Sequence, residues 1–183
     1  MSFDFEGEVV MASLPDSSPI YAIVGRIASR WGKLEWEVDR LSWLLAGLRR
    51  DEPGACMTAQ ILGIHNKLRA LISLARLNEA PQSIIDDLNK FSNEAIPITM
   101  KRNRAVHDSW WMGAKTKKVG QLRLTADKRL DYRWKEITEE EMIGIESDVK
   151  KLAQKFFKID MAIHIFWKQR KRVRRKASPK RPA

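Results

Sequence analysis

Residues 20–48 read IYAIVGRIASRWGKLEWEVDRLSWLLAGL, and this stretch sets the fold class. Its apolar residues Ile20, Val24, Ile27, Trp31, Leu34, Val38, Leu41, Leu45 and Leu48 alternate by three and four. That spacing keeps them in one narrow stripe over about eight turns of helix, the seam of a bundle helix. Ser17 or Ser18 can cap its start with Pro19 in the first turn, and Gly47 with the Arg-Arg-Asp-Glu-Pro-Gly run of residues 49–54 ends it.

Working outward, residues 1–18 mix acids, Ser, Gly and Pro, and are expected to be a flexible N-terminal arm. A second helix is expected over residues 57–78, with Ile61, Ile64, Leu68, Leu71, Ile72 and Ala75 on one side and Gly63 as a weak point. Pro81 opens a third, carrying Ile84, Ile85, Leu88, Phe91, Ala95 and Ile98, with a kink or break just before Pro97. Residues 119–135 alternate on both sides of Asp127-Lys128-Arg129 and read as a β-hairpin whose polar edge is Arg123, Lys128, Arg129 and Arg133. Thr138 with Glu141 forms a capping box for the last helix, which carries Met142, Ile145, Val149, Leu152, Phe156, Ile159, Ile163 and Phe166 inward. Residues 168–183 are expected to be a basic disordered tail. The fold class expected is all-α: an antiparallel four-helix bundle over residues 19–167, with the hairpin inserted before the last helix.

A chain of 183 residues with 44% apolar content and seven Trp is large enough for one domain with a real core. Cys56 stands alone, which excludes an intrachain disulfide and a zinc site built of cysteines and fits a reducing cytoplasm. The acidic first residues carry no basic-then-apolar pattern, so no signal peptide is expected. No run of eighteen apolar residues exists, so no membrane partner is expected. Net charge is +11, yet the nine basic residues of the stretch 168–183 account for all but two of those charges. The high isoelectric point therefore belongs to that segment. It suits either nonspecific contact with an RNA backbone or a solubilising extension. Phosphate-loop, dinucleotide, metalloprotease, Cys-x-x-Cys and nucleophile-elbow patterns are absent.

The chemistry-bearing stretch is residues 100–111, MKRNRAVHDSWW, at the end of the third apolar-patterned helix. Asn103 and His107 are four apart and share a face, and Arg102 is long enough to swing toward them. An imidazole that moves a proton beside a guanidinium that grips phosphoryl oxygens suits phosphodiester cleavage, with no metal and no cofactor implied. Lys101 and Arg104 thicken the positive field as candidate substrate contacts. Asp108 can fix the His107 ring, and Trp110 and Trp111 can stack on unpaired bases or plug the core.

Arg102-Asn103-Arg-Ala-Val-His107 resembles the R-x(4–6)-H signature of the HEPN superfamily, in the form with Asn directly after Arg. That resemblance implies a small helical protein, a metal-independent endoribonuclease of the kind found in toxin–antitoxin, CRISPR-associated and phage-defence systems. It also implies a homodimer whose two motifs line one cleft, with Arg102, Asn103 and His107 as catalytic residues and RNA as the substrate. A protein antitoxin, another partner subunit or a nucleotidyltransferase encoded elsewhere fits the same family.

Each residue also has a plainer reading. His107 and Arg102 can bond the last carbonyls of their helix. Glu35 can face the Arg102 cluster or make a local ion pair. His65 and His164 read as packed or surface histidines. Trp36 and Trp43, a heptad apart on the flank of the first helix, suggest a second packing partner. The alternative function is a non-catalytic helical module that binds RNA or another protein.

Overall fold

The computed structural model describes residues 11–48, 51–127 and 129–177, the backbone alone for residues 51, 124–127, 129–133 and 174–177. Among these the chain is mostly helical, with α1 (Pro19–Leu45), α2 (Asp51–Thr58), α3 (Ile64–Leu77), α4 (Gln82–His107) and α5 (Glu139–Ala177). Strands β1 (Met11–Ser13), β2 (Ser109–Gly113), β3 (Val119–Asp127) and β4 (Arg129–Glu136) form one antiparallel sheet in sequence order.

The helix expected from residue 20 is α1, and its stripe is the buried one from Ile20 to Leu45, with Ile23 taking the inner place expected for Val24. Gly47 stops it. Its φ of +73° lets Leu48 N–H reach the Trp43 carbonyl at 3.1 Å and Gly47 N–H reach that of Leu44 at 3.1 Å. That double bond pattern closes a helix on a left-handed residue.

The single helix expected over residues 57–78 is two. Gly63 sits at φ +76° directly before α3, a value no α-helix accommodates, and α2 already begins at Asp51 inside the cluster expected to be loop. Pro97 does not break α4, which runs from Gln82 to His107. The ring removes one N–H, whose partner would be the carbonyl of Asn93, and both Asn93 and Pro97 lie on the exposed side of the helix.

The hairpin expected over residues 119–135 is present as β3 and β4, paired from Gly120↔Glu136 to Asp127↔Arg129. It is half of a larger sheet, which corrects the all-α expectation. β2 lies along β3 with Trp110 opposite Gln121, and β1 lies along β2 with Ala12 opposite Met112. Residues 11–13 of the expected arm are thus a strand, while residues 1–10 lie outside the described residues. Likewise α5 carries residues 168–177 of the expected tail in helix, and residues 178–183 lie outside the described residues.

The chain divides into two compact units, Met1–Arg30 with Pro97–Lys150, and Trp31–Ile96 with Lys151–Ala183, so α1, α4 and α5 contribute residues to both. The first unit holds the sheet, the end of α4 and the start of α5. Its buried side chains include Leu14, Ile23, Ile27, Ala105, Ile137, Met142 and Val149. Arg26 and Arg30 both donate to Oε1 of Glu146, joining the first turns of α1 to α5. The capping box is formed as expected: Thr138 N–H donates to Glu141 Oε2 at 2.9 Å, and Glu141 N–H to Thr138 Oγ1 at 3.2 Å.

The second unit is wholly helical among the described residues. Its fully buried side chains include Trp31, Leu34, Leu41, Ile64, Leu68, Leu71, Leu88, Leu152 and Phe156, and the Phe91 and Phe156 rings stack tilted at 5.1 Å. Trp43 finds its partner within the chain, with its indole N–H on Thr58 Oγ1 of α2 at 3.2 Å. Trp36 is 52% exposed under the Arg40 guanidinium at 5.7 Å.

Candidate functional site

The end of α4 is built by the sheet. A helix leaves its last four carbonyls without partners, and here two side chains of one cross-strand pair supply them. Trp110 donates its indole N–H to the Ala105 carbonyl at 3.0 Å, and Gln121 donates its amide to that of Arg104 at 2.9 Å. The Arg104 carbonyl also receives Asp108 N–H at 3.1 Å. Gln121 is 1% exposed, so this amide is committed to the helix end. The paired Trp after the helix therefore act as strand residues, with Trp110 as a clasp on α4.

On that anchored turn Arg102, Asn103 and His107 come together. Arg102 Nη1 lies 3.0 Å from Asn103 Oδ1 and 3.3 Å from His107 Nε2. His107 and Asn103 are exposed and Arg102 is half-buried. An Arg has donors only, so the imidazole nitrogen facing it is the acceptor, which places the ring proton on Nδ1. Gln121 and Trp110 hold the Arg104 and Ala105 carbonyls, and the His107 ring meets Arg102 instead.

Lys101 and Arg104, expected beside the motif, point elsewhere. Arg102 and Arg104 are about 160° apart around the helix axis. Lys101 pairs with Asp148 of α5 at 2.8 Å, and Arg104 with Asp108 at 3.6 Å. Asp108 thus faces Arg104, and no hydrogen bond links it to His107 among the described residues.

Lys101 and Arg104 line a cleft with Arg123, Gln121, Lys135 and Glu141, and none of Arg102, Asn103 or His107 lines it. Of the expected basic hairpin edge, Arg123 faces this cleft; Lys128 lies outside the described residues, as do the side chains of Arg129 and Arg133. Gln121 had no sequence signal beyond its place in an alternating run. Its role follows only once the register sets it opposite Trp110.

The remaining candidates are locally satisfied. Glu35 accepts the Trp31 indole N–H at 2.9 Å. His164 sits 3.1 Å from Arg40 Nη1 and 3.5 Å from Asp160, and His65 is exposed. No cluster of three metal-binding side chains occurs among the described residues, and no helix of the described residues is long and apolar enough to cross a membrane. Compared with protein-family models, curated proteins and solved structures, the chain returns no match.

Proposed function

We propose that the protein is a metal-independent endoribonuclease of HEPN type, acting on RNA through Arg102, Asn103 and His107 as a homodimer. The observation that carries this reading is the contact of Arg102 Nη1 with His107 Nε2 at 3.3 Å on an exposed helix end whose Arg104 and Ala105 carbonyls are held by Gln121 and Trp110. At rest the guanidinium covers the imidazole lone pair. When a phosphodiester arrives, its charged oxygens are the better acceptors, and Arg102 moves to them with two parallel hydrogen bonds. Nε2 is then free to take the proton of the ribose 2′-hydroxyl. The 2′-oxygen attacks phosphorus, the 5′-oxygen leaves with a proton from a second imidazole, and the products are a 2′,3′-cyclic phosphate and a 5′-hydroxyl. Arg102 holds the charge that builds on the phosphoryl oxygens, and Asn103 keeps Arg102 aimed.

The test is an RNA cleavage assay in EDTA. The parent should cut RNA and leave DNA intact, since DNA lacks the attacking hydroxyl. His107→Ala should lose about 10²–10⁴-fold in rate with unchanged helicity by circular dichroism. A His107→Ala protein that cuts at the parent rate refutes the assignment.

A second reading, a non-catalytic helical interaction module, is favoured by one observation. Phe157, Met161 and Ile165 follow at four-residue spacing on α5 and are 59%, 48% and 54% exposed. An absence of cleavage by the parent, with a stoichiometric protein complex formed through that stripe, would select it.

A further inference from the structure

Four cations of the first unit converge on one cleft of about 580 Å³: Lys101 and Arg104 from α4, Arg123 from β3 and Lys135 from β4. Its other walls are apolar, with Pro97, Met100, Ile137 and Ile145. Three of the cations have a carboxylate. Lys101 meets Asp148 at 2.8 Å, Lys135 meets Glu141 at 3.7 Å, and Arg104 meets Asp108 at 3.6 Å. That last separation is too long for a hydrogen bond, and Asp108 Oδ2 is buried without a hydrogen-bond partner. Arg104 is therefore paired with Asp108 by charge and not by a hydrogen bond.

Arg123 is the exception. No carboxylate of the described residues stands within ion-pair distance of it, and its Nε is buried with no hydrogen-bond partner. Burial, and next the positive charge of Arg104, push its guanidinium below the ordinary arginine range, while Asp108 and Glu141 oppose them more weakly. A half-buried guanidinium whose Nε lacks a partner, set beside a second cation, is held at a cost, because partly desolvated like charges repel. Residues kept at such a cost are characteristic of binding sites.

We propose that this cleft binds a small phosphomonoester of nucleotide size, its phosphate between Arg104 and Arg123 and its organic part on the apolar wall. A phosphate dianion offers enough acceptor oxygens for two guanidinium forks at once and supplies the charge that Arg123 lacks. The volume falls in the range of small-molecule pockets. Asp148 and Glu141 at the sides repel a polyanionic strand but accept hydrogen bonds from the hydroxyl or amino groups of a compact ligand. The site is separate from the nuclease reading, since none of Arg102, Asn103 and His107 lines it.

The experiment is calorimetric titration and thermal melting of the full chain with adenosine 5′-monophosphate, inorganic phosphate, adenosine, and RNA oligomers with and without a 5′-phosphate. The monophosphate should bind and raise Tm, inorganic phosphate should do so more weakly, and adenosine should have no effect. Arg123→Met should lose roughly tenfold or more in affinity for the monophosphate, while its unliganded Tm equals or exceeds the parent's. Arg123→Lys, which keeps charge and loses the fork, should bind more weakly than the parent. His107→Ala should bind as the parent does, whether or not the parent cuts RNA. The proposal is overturned if neither the monophosphate nor inorganic phosphate binds, or if only the 5′-phosphorylated oligomer does. Parent-like affinity in either Arg123 variant overturns it too, as does an unliganded Arg123→Met that melts several degrees below the parent.

Discussion

Gln121→Met tests whether the sheet positions the proposed catalytic turn. Methionine keeps the length and volume of glutamine, so no large cavity opens, and what is removed is the 2.9 Å bond from the amide to the Arg104 carbonyl. That carbonyl keeps Asp108 N–H at 3.1 Å, so no acceptor is left without a partner. The loss is then one ordinary hydrogen bond, about 0.5–1.5 kcal/mol, or a fall of roughly 1–6 °C in Tm for a chain of this length. Activity should fall further than stability predicts. With Trp110 as the only remaining clasp, His107 and Arg102 can drift by a fraction of an ångström, and cleavage should slow about tenfold. Thr138→Ala is the control. It removes the side-chain half of the capping box at α5, costs about 1 kcal/mol, and touches neither carbonyl of the α4 end. Both variants are compared by thermal melting and by RNA cleavage at a temperature where each is fully folded. If Gln121→Met cuts at the parent rate, or Thr138→Ala slows cleavage as much, the clasp does not position the site.

Two further outcomes follow from the packing and the charges. A Cβ added at Gly54 would lie 2.4 Å from Trp43 Cγ, and the ring is pinned by Thr58, so Gly54→Ala should overpack the α2 contact. Against a gain in helix propensity, the net cost should be roughly 2 kcal/mol, read as a lower Tm. The Glu146 carboxyl is held below its ordinary range, first by the Arg26 hydrogen bond and then by the charges of Arg26 and Arg30, against the opposing effect of burial. A depressed carboxyl stabilises the fold above its unfolded pKa and loses that contribution as pH falls through the folded value. The parent Tm should therefore drop below about pH 4. Glu146→Gln should melt lower at neutral pH and show a shallower acid slope. Equal slopes in a pH series of melts would refute the linkage.

The helices were legible because their signal is local and repeated. Nine apolar positions defined α1, and Thr138 with Glu141 announced α5. The break between α2 and α3 was not legible, because apolar spacing continues through Ile61 and Ile64 while Gly63 changes hand. The sheet was half legible. β3 and β4 alternate, but β2 reads Ser-Trp-Trp-Met-Gly with no period of two, and β1 has only three residues. Those strands exist through pairing, which a local pattern does not carry. The motif residues were legible as a spacing. That Lys101 and Arg104 turn away from it follows from their carboxylate partners, Asp148 thirty or more residues downstream and Asp108 one turn on.

That divergence explains how one helix end can present two kinds of cation. Arg102 donates to an amide oxygen and an imidazole nitrogen, and a charged phosphoryl oxygen is a better acceptor than either. Lys101 rests on a carboxylate that competes with phosphate for it. Extra positive charge near a phosphate is therefore not interchangeable with a guanidinium that no carboxylate competes for. On the cleft face it is Arg123, with no carboxylate of the described residues within ion-pair distance, that an anion can recruit. Sequence counts of Lys and Arg weigh these residues equally, and only their resting partners tell which of them an anion can recruit.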